Sequence, residues 1–138
     1  AQEVVFDSSS YDYDGYYIEG IDIKCASPFS IQLNDYTGTQ YRMTYNSSTT
    51  ITNNQSDRMM LSNREPYPGN YRIQLITAPG VGASYHGELA NMGTYSNWFY
   101  GGMNNAIDSI DKIRIFSGSV PTKGTWILYG YYHSEVQI

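Results

Sequence analysis

Ile110-Asp111-Lys112-Ile113-Arg114-Ile115-Phe116-Ser117-Gly118, followed after a short polar stretch by Gly124-Thr125-Trp126-Ile127-Leu128-Tyr129-Gly130-Tyr131-Tyr132, decides the fold class of this chain. β-Branched and aromatic residues dominate both runs, and Ser117-Gly118, Pro121 and Lys123-Gly124 punctuate the gap, so the pattern predicts two β-strands joined as a hairpin. In the second run Trp126, Leu128 and Tyr132 share one face and Ile127, Tyr129 and Tyr131 the other. One face suits a sandwich core. The other then needs a second apolar surface, which makes Ile127, Tyr129 and Tyr131 the candidate subunit interface.

Outward from this stretch the same period of two recurs. Phe29, Ile31 and Leu33 alternate with Ser30 and Gln32; Tyr41, Met43 and Tyr45 with Arg42 and Thr44; Tyr71, Ile73 and Leu75 with Arg72 and Gln74. Further strands are expected around Val4–Phe6, Arg58–Leu61, Ser84–Ala90 and Asn97–Tyr100. In Tyr16–Ile23 the parity switches at Glu19-Gly20, and a β-bulge at Gly20 would return Ile21 and Ile23 to the face of Ile18. Turn residues separate the runs at Tyr13-Asp14-Gly15, Asn34–Gly38, Pro66–Asn70, Ala78–Gly82 and Tyr100-Gly101-Gly102. The polar stretch Asn46–Ser56 reads as a long loop. These signals predict one all-β domain over 1–138, an antiparallel β-sandwich of jelly-roll type with about nine or ten strands.

Composition narrows the functional classes. The chain has 138 residues, a net charge of -5 and only eight Lys and Arg, which are scattered and form no basic stripe for a phosphate backbone. Nucleic acid is therefore not an expected partner. No run approaches a membrane span and no charged-then-apolar leader opens the chain, so the expectation is no membrane insertion and assembly in the cytoplasm. The single Cys25 follows Ile21 and Ile23 on the same strand parity and is expected as a buried small hydrophobe.

Catalytic and metal motifs are sparse. His86 and His133 lack partners at metal-ligand spacing, and no Ser or Cys sits in a nucleophile signature. His86 and Glu88 would share the wet face of a strand. Glycan hydrolysis needs two facing carboxylates; Asp7, Asp12, Asp14, Glu19, Asp22 and Glu88 are available, but spacing selects no pair. Asp12-Tyr13-Asp14-Gly15 offers two carboxylates for calcium without the remaining ligands of a known loop, and a plain turn explains it equally. The expectation is a non-enzymatic chain without catalytic residues, cofactor or bound metal.

Tyr95-Ser96-Asn97-Trp98-Phe99-Tyr100 lies between Gly93 and Gly101-Gly102. Aromatic faces pack on the apolar face of a pyranose while amides bond its hydroxyls, which makes Tyr95, Asn97, Trp98 and Tyr100 the candidate glycan-binding residues. In the competing arrangement Trp98 and Tyr100 fill the sandwich and Phe99 meets a neighbouring subunit, as the frequency of large aromatics in cores favours.

The terminal motif, Ile110, Ile113-Arg114-Ile115-Phe116, Ser117-Gly118, then Gly124-Thr125, Ile127, Leu128-Tyr129-Gly130, resembles the closing hairpin of β-sandwich modules in tailed-phage virion proteins: head decorations, head fibres and tail-fibre tips. Outside that motif the likeness is compositional. The resemblance implies a virion structural protein, as a capsid decoration, head fibre or tail-fibre tip, located in the virion. It further implies a homotrimer in contact with other virion proteins. The alternative is a receptor-binding adhesin domain whose partner is a host surface glycan.

Overall fold

Every period-two run becomes a strand in the computed structural model, which describes residues 3–11, 13–47, 50–61, 69–91 and 96–132. Among these residues are eleven strands and no helix: β1 Glu3–Asp7, β2 Gly15–Lys24, β3 Phe29–Leu33, β4 Tyr41–Ser47, β5 Thr50–Ser56, β6 Met59–Leu61, β7 Gly69–Ala78, β8 Gly82–Asn91, β9 Ser96–Met103, β10 Lys112–Ser117 and β11 Lys123–Tyr131. They form an antiparallel sandwich of a four-stranded sheet, β1-β10-β3-β6, and a seven-stranded sheet, β11-β2-β7-β8-β9-β4-β5. Without β8, β9 and β11 the two layers are β1-β10-β3-β6 and β2-β7-β4-β5, the strand order of a jelly roll. The β8–β9 hairpin enters between β7 and β4, and β11 extends the edge beyond β2. These additions make the second sheet broad, and its outer face is where the candidate site lies.

Alternation explains the core. Ile31, Leu33, Ile113 and Ile115 point inward from the small sheet and meet Ile18, Tyr71, Ile73, Leu75, Tyr85 and Phe99 from the large one, all buried. Each such side chain contributes about 1.5–3 kcal/mol relative to exposure. Cys25 belongs to this core as expected. Its Sγ lies 3.4 Å from the Ser117 hydroxyl.

Four local expectations are corrected. The terminal runs do not form a hairpin: β10 lies between β1 and β3 in the small sheet, while β11 pairs with β2 in the large one. The connection through Pro121 therefore crosses the sandwich. Asn46–Ser56 is not a loop, because β4 and β5 pair from Tyr41↔Ser56 to Ser47↔Thr50 and residues 48 and 49 lie outside the described residues. Gly101 and Gly102 lie within β9 rather than in a turn. Of the turn expected at Pro66–Asn70, residues 66–68 lie outside the described residues, and Gly69 and Asn70 already belong to β7.

The fourth correction concerns β2. Its irregularity falls between Gly20 and Ile23, where Ile21 and Asp22 stand against the single Asn70 and Asp22 has φ 56°, so the bulge lies beyond Gly20 and Ile21 stays exposed instead of returning to the core. The Asp22 N–H donates to Asn70 Oδ1 at 2.8 Å, holding the bulge. Ile18 and Ile23 share the core side. Gly20 serves a different purpose: a Cβ there would lie 2.6 Å from the ring of Trp126, which rests on the glycine between Phe29 and Tyr71.

Candidate functional site

β8 and β9 owe their orientation to a size match. Gly87 stands opposite Phe99, and a Cβ at Gly87 would lie 2.6 Å from the Phe99 ring. The glycine opens room for that ring, so Phe99 turns into the core at 2% exposure. Its neighbours Trp98 and Tyr100 must then face outward. This reverses the arrangement in which Trp98 and Tyr100 fill the sandwich and Phe99 meets a subunit. The outward rings lie nearly parallel, 14° apart in plane with centroids 5.4 Å apart. Trp98 is half-buried and Tyr100 is 47% exposed.

Strand pairing sets what surrounds these rings. Across the outer face one row runs Ile127, Glu19, Arg72, Glu88, Trp98, each residue opposite the next on the adjoining strand. The next row runs Tyr129, Tyr17, Gln74, His86, Tyr100, Thr44. Directly opposed side chains stand about 4.5–5.5 Å apart at Cβ. His86 and Glu88 therefore share the wet face, as alternation predicted, and flank the aromatic pair. Arg72 stands between two carboxylates. The result is a surface with aromatic rings at one side, amide, imidazole and carboxylate groups beside them, and tyrosines at the far side.

Of the remaining candidate residues, Tyr95 lies outside the described residues. Asn97 is in β9 opposite Leu89. Tyr129 is 46% exposed with its ring 6.5 Å from that of Tyr17. Ile127 and Tyr131 are half-buried. Tyr131 crosses over Gly15, and its hydroxyl accepts from Gln74 Nε2 at 3.2 Å, so part of its covering comes from its own protomer. On the inner side Trp126 and Leu128 pack on the core, but Tyr132 does not: it is 69% exposed beside Tyr13.

A polar concavity beside β1 and β10 is occupied by its own contacts. A depression of about 430 Å³ is lined by Asp7, Asn34, Asp35, Asp111 and Lys112 among others. Its carboxylates are engaged: Asp35 with Lys112 at 2.9 Å, Asp111 with the Ser109 hydroxyl and Asp7 with Ser9. The Ser9 hydroxyl and N–H hold the Asp7 carboxyl below its ordinary range. For calcium, Asp12 is outside the described residues, and among the described residues no three His, Cys, Asp or Glu side chains converge.

Of the six carboxylates available to a hydrolase, pairing brings Glu19 and Glu88 to one face, two strand spacings or about 9–10 Å apart. That lies near the upper end of the separation used for inversion, about 6.5–9.5 Å. Arg72 stands between them and Glu88 is exposed.

No family model matches the chain, and neither a curated protein nor a solved structure is significantly similar to it.

Proposed function

We propose that this chain is a non-enzymatic recognition module that holds a carbohydrate against the outer face of its seven-stranded sheet. The observation that carries the reading is the outward Trp98–Tyr100 pair with Phe99 buried between them. Aromatic rings exposed beside His86 and Glu88 supply both requirements of sugar recognition, an apolar face and hydrogen-bonding groups at its margin. The openness of the face supports binding over hydrolysis, because a glycosidase needs one carboxyl held protonated beside the scissile bond. In the phage setting implied by the terminal motif, the module would be the receptor-binding part of a virion.

Glycan-array binding by the wild type, Trp98→Ala and Tyr100→Ala tests this reading. Retention of a defined set of glycans by the wild type, lost in Trp98→Ala at unchanged melting temperature, is the expected outcome. Absence of binding across the array, or binding indifferent to both substitutions, refutes it. Release of reducing sugar would point to an enzyme.

Assembly through β11 is the second reading, favoured by one observation: among the described residues the side of β11 away from β2 pairs with no strand, and Tyr129 is exposed there. Unpaired edges invite partners. A homotrimer decorating a virion would use Ile127 and Tyr129 at that edge. Sedimentation should then show an oligomer that Ile127→Asp dissociates, since burying an unpaired carboxylate costs several kcal/mol. A monomer at micromolar concentration removes this second reading and leaves the first intact.

A further inference from the structure

Aromatic side chains stand at both ends of one polar row on the outer face. Tyr100, with Trp98 stacked beside it, begins the row on β9; Tyr17, with Tyr129 beside it, ends it on β2 and β11. Between them in register lie His86 on β8 and Gln74 on β7, each opposite the next, with the Tyr131 hydroxyl reaching Gln74 from β11. β9 and β2 are three strand spacings apart, about 14–15 Å. A pyranose in an extended chain advances by close to one strand spacing. Rings at the two ends of the row thus match the first and fourth sugars of a chain laid across the strands, with an imidazole and an amide opposite the two between.

Charge on the same face restricts the sugar. Arg72 is flanked in register by Glu19 and Glu88. An acidic sugar reaching that guanidinium would meet a carboxylate on each side, and like charges placed together are unfavourable. The net charge of -5 adds to the same bias.

Resting on the carbohydrate reading above, we infer that the ligand is an uncharged, extended oligosaccharide of at least four units running across the strands. Its two ends stack on Tyr100–Trp98 and on Tyr17. A row of residues opposed in register suits a linear chain; a branched or sharply folded glycan would leave one end without contact.

Calorimetric titration with uncharged gluco-, manno- and N-acetylglucosamine oligosaccharides of one to six units, and with sialylated glycans, tests the inference. The affinity of the wild type for the preferred series should rise with each unit up to four or five and then level off. Tyr17→Ala should weaken binding of the tetramer and longer chains by about tenfold, the equivalent of one lost aromatic contact. It should leave monomer and dimer binding at the Trp98–Tyr100 end within about twofold of the wild type. Trp98→Ala should weaken every length. Melting curves check that each variant remains folded. Affinity independent of length, an equal effect of Tyr17→Ala at every length, or preference for the sialylated glycans overturns the extended neutral ligand while the carbohydrate reading stands. Failure of every sugar to bind overturns both.

Discussion

Gly20→Ala isolates the packing that ties β11 to the rest of the sandwich. Gly20 faces the core, and an added Cβ would lie 2.6, 2.9 and 3.0 Å from three carbons of the Trp126 ring, where carbon contacts are optimal at about 3.5–4.0 Å. The ring must move by about 1 Å. It is held by Phe29 of the opposite sheet and Tyr71 of β7, each with its centroid 5.3 Å away. Overpacking of this kind costs about 1–3 kcal/mol. Against that stands a gain of about 0.4–1 kcal/mol from the stiffer unfolded chain, available because Gly20 does not use positive φ. The net expectation is a loss of up to about 2.6 kcal/mol, seen as a lower urea midpoint at unchanged slope. The decisive control is the same substitution in a Trp126→Ala background. With no ring to displace, Gly20→Ala should become neutral or stabilising there, giving a coupling of about 1–3 kcal/mol in the double-mutant cycle. Equal destabilisation in both backgrounds would refute the contact.

Asn34→Ala should cost about 2–3 kcal/mol in chemical denaturation. Asn34 Oδ1 accepts from the Asp111 and Lys112 N–H groups at 2.8 and 3.1 Å, and its Nδ2 donates to the Ser109 carbonyl at 2.8 Å, fastening the end of β3 to the start of β10. Asp22→Gly should be tolerated and Asp22→Val should destabilise by about 1–2 kcal/mol, because φ 56° at the bulge disfavours a β-branched residue; equal stability of the two variants in thermal melts would contradict this. Alkaline pH should unfold the domain cooperatively with tyrosinate formation. Burial pushes Tyr41 up to about 12 and Tyr85 up as well. Raised folded pKa values mean stability that is complete below pH 10 and lost as pH climbs toward 12, and early ionisation of all tyrosines without unfolding would contradict it. Trp98→Ala should change the melting temperature little, since its ring lies on the outer face.

Much of the fold was legible because one-sided burial writes a period of two into β7 and the start of β4, and β3 keeps the same alternation in residue type although Ser30 and Gln32 are buried too. What escaped depends on tertiary context. β5 joins the strand formers Thr50, Ile51 and Thr52 to Asn53, Asn54, Gln55 and Ser56, a polar run that reads as loop and whose pairing comes from β4 beside it. The β10–β11 connection carries the same turn residues as a hairpin, and only the partners β3 and β2 show that it crosses between sheets. At Gly20 the parity switch was visible but its site was not. The bulge falls at Ile21-Asp22, where Asn70, distant in sequence, accepts the Asp22 N–H. The candidate site was half legible. Three consecutive aromatics, Trp98-Phe99-Tyr100, carry no parity of their own. Gly87 opposite Phe99 settles which ring turns inward, and that pairing is a property of register. The row from Tyr17 to Tyr100 joins residues of four strands and has no linear signature.

The chain's two tryptophans give the most direct test of the central claim that the outer face of the large sheet binds sugar. Trp98 lies on that face beside Tyr100, and Trp126 lies within the sandwich against Phe29. Their indole N–H resonances are followed by NMR during titration with the uncharged oligosaccharide series. The account predicts that the Trp98 resonance shifts in a saturable manner while that of Trp126 stays in place. A stationary Trp98 resonance across the whole series, or a shift of Trp126 alone, would contradict it.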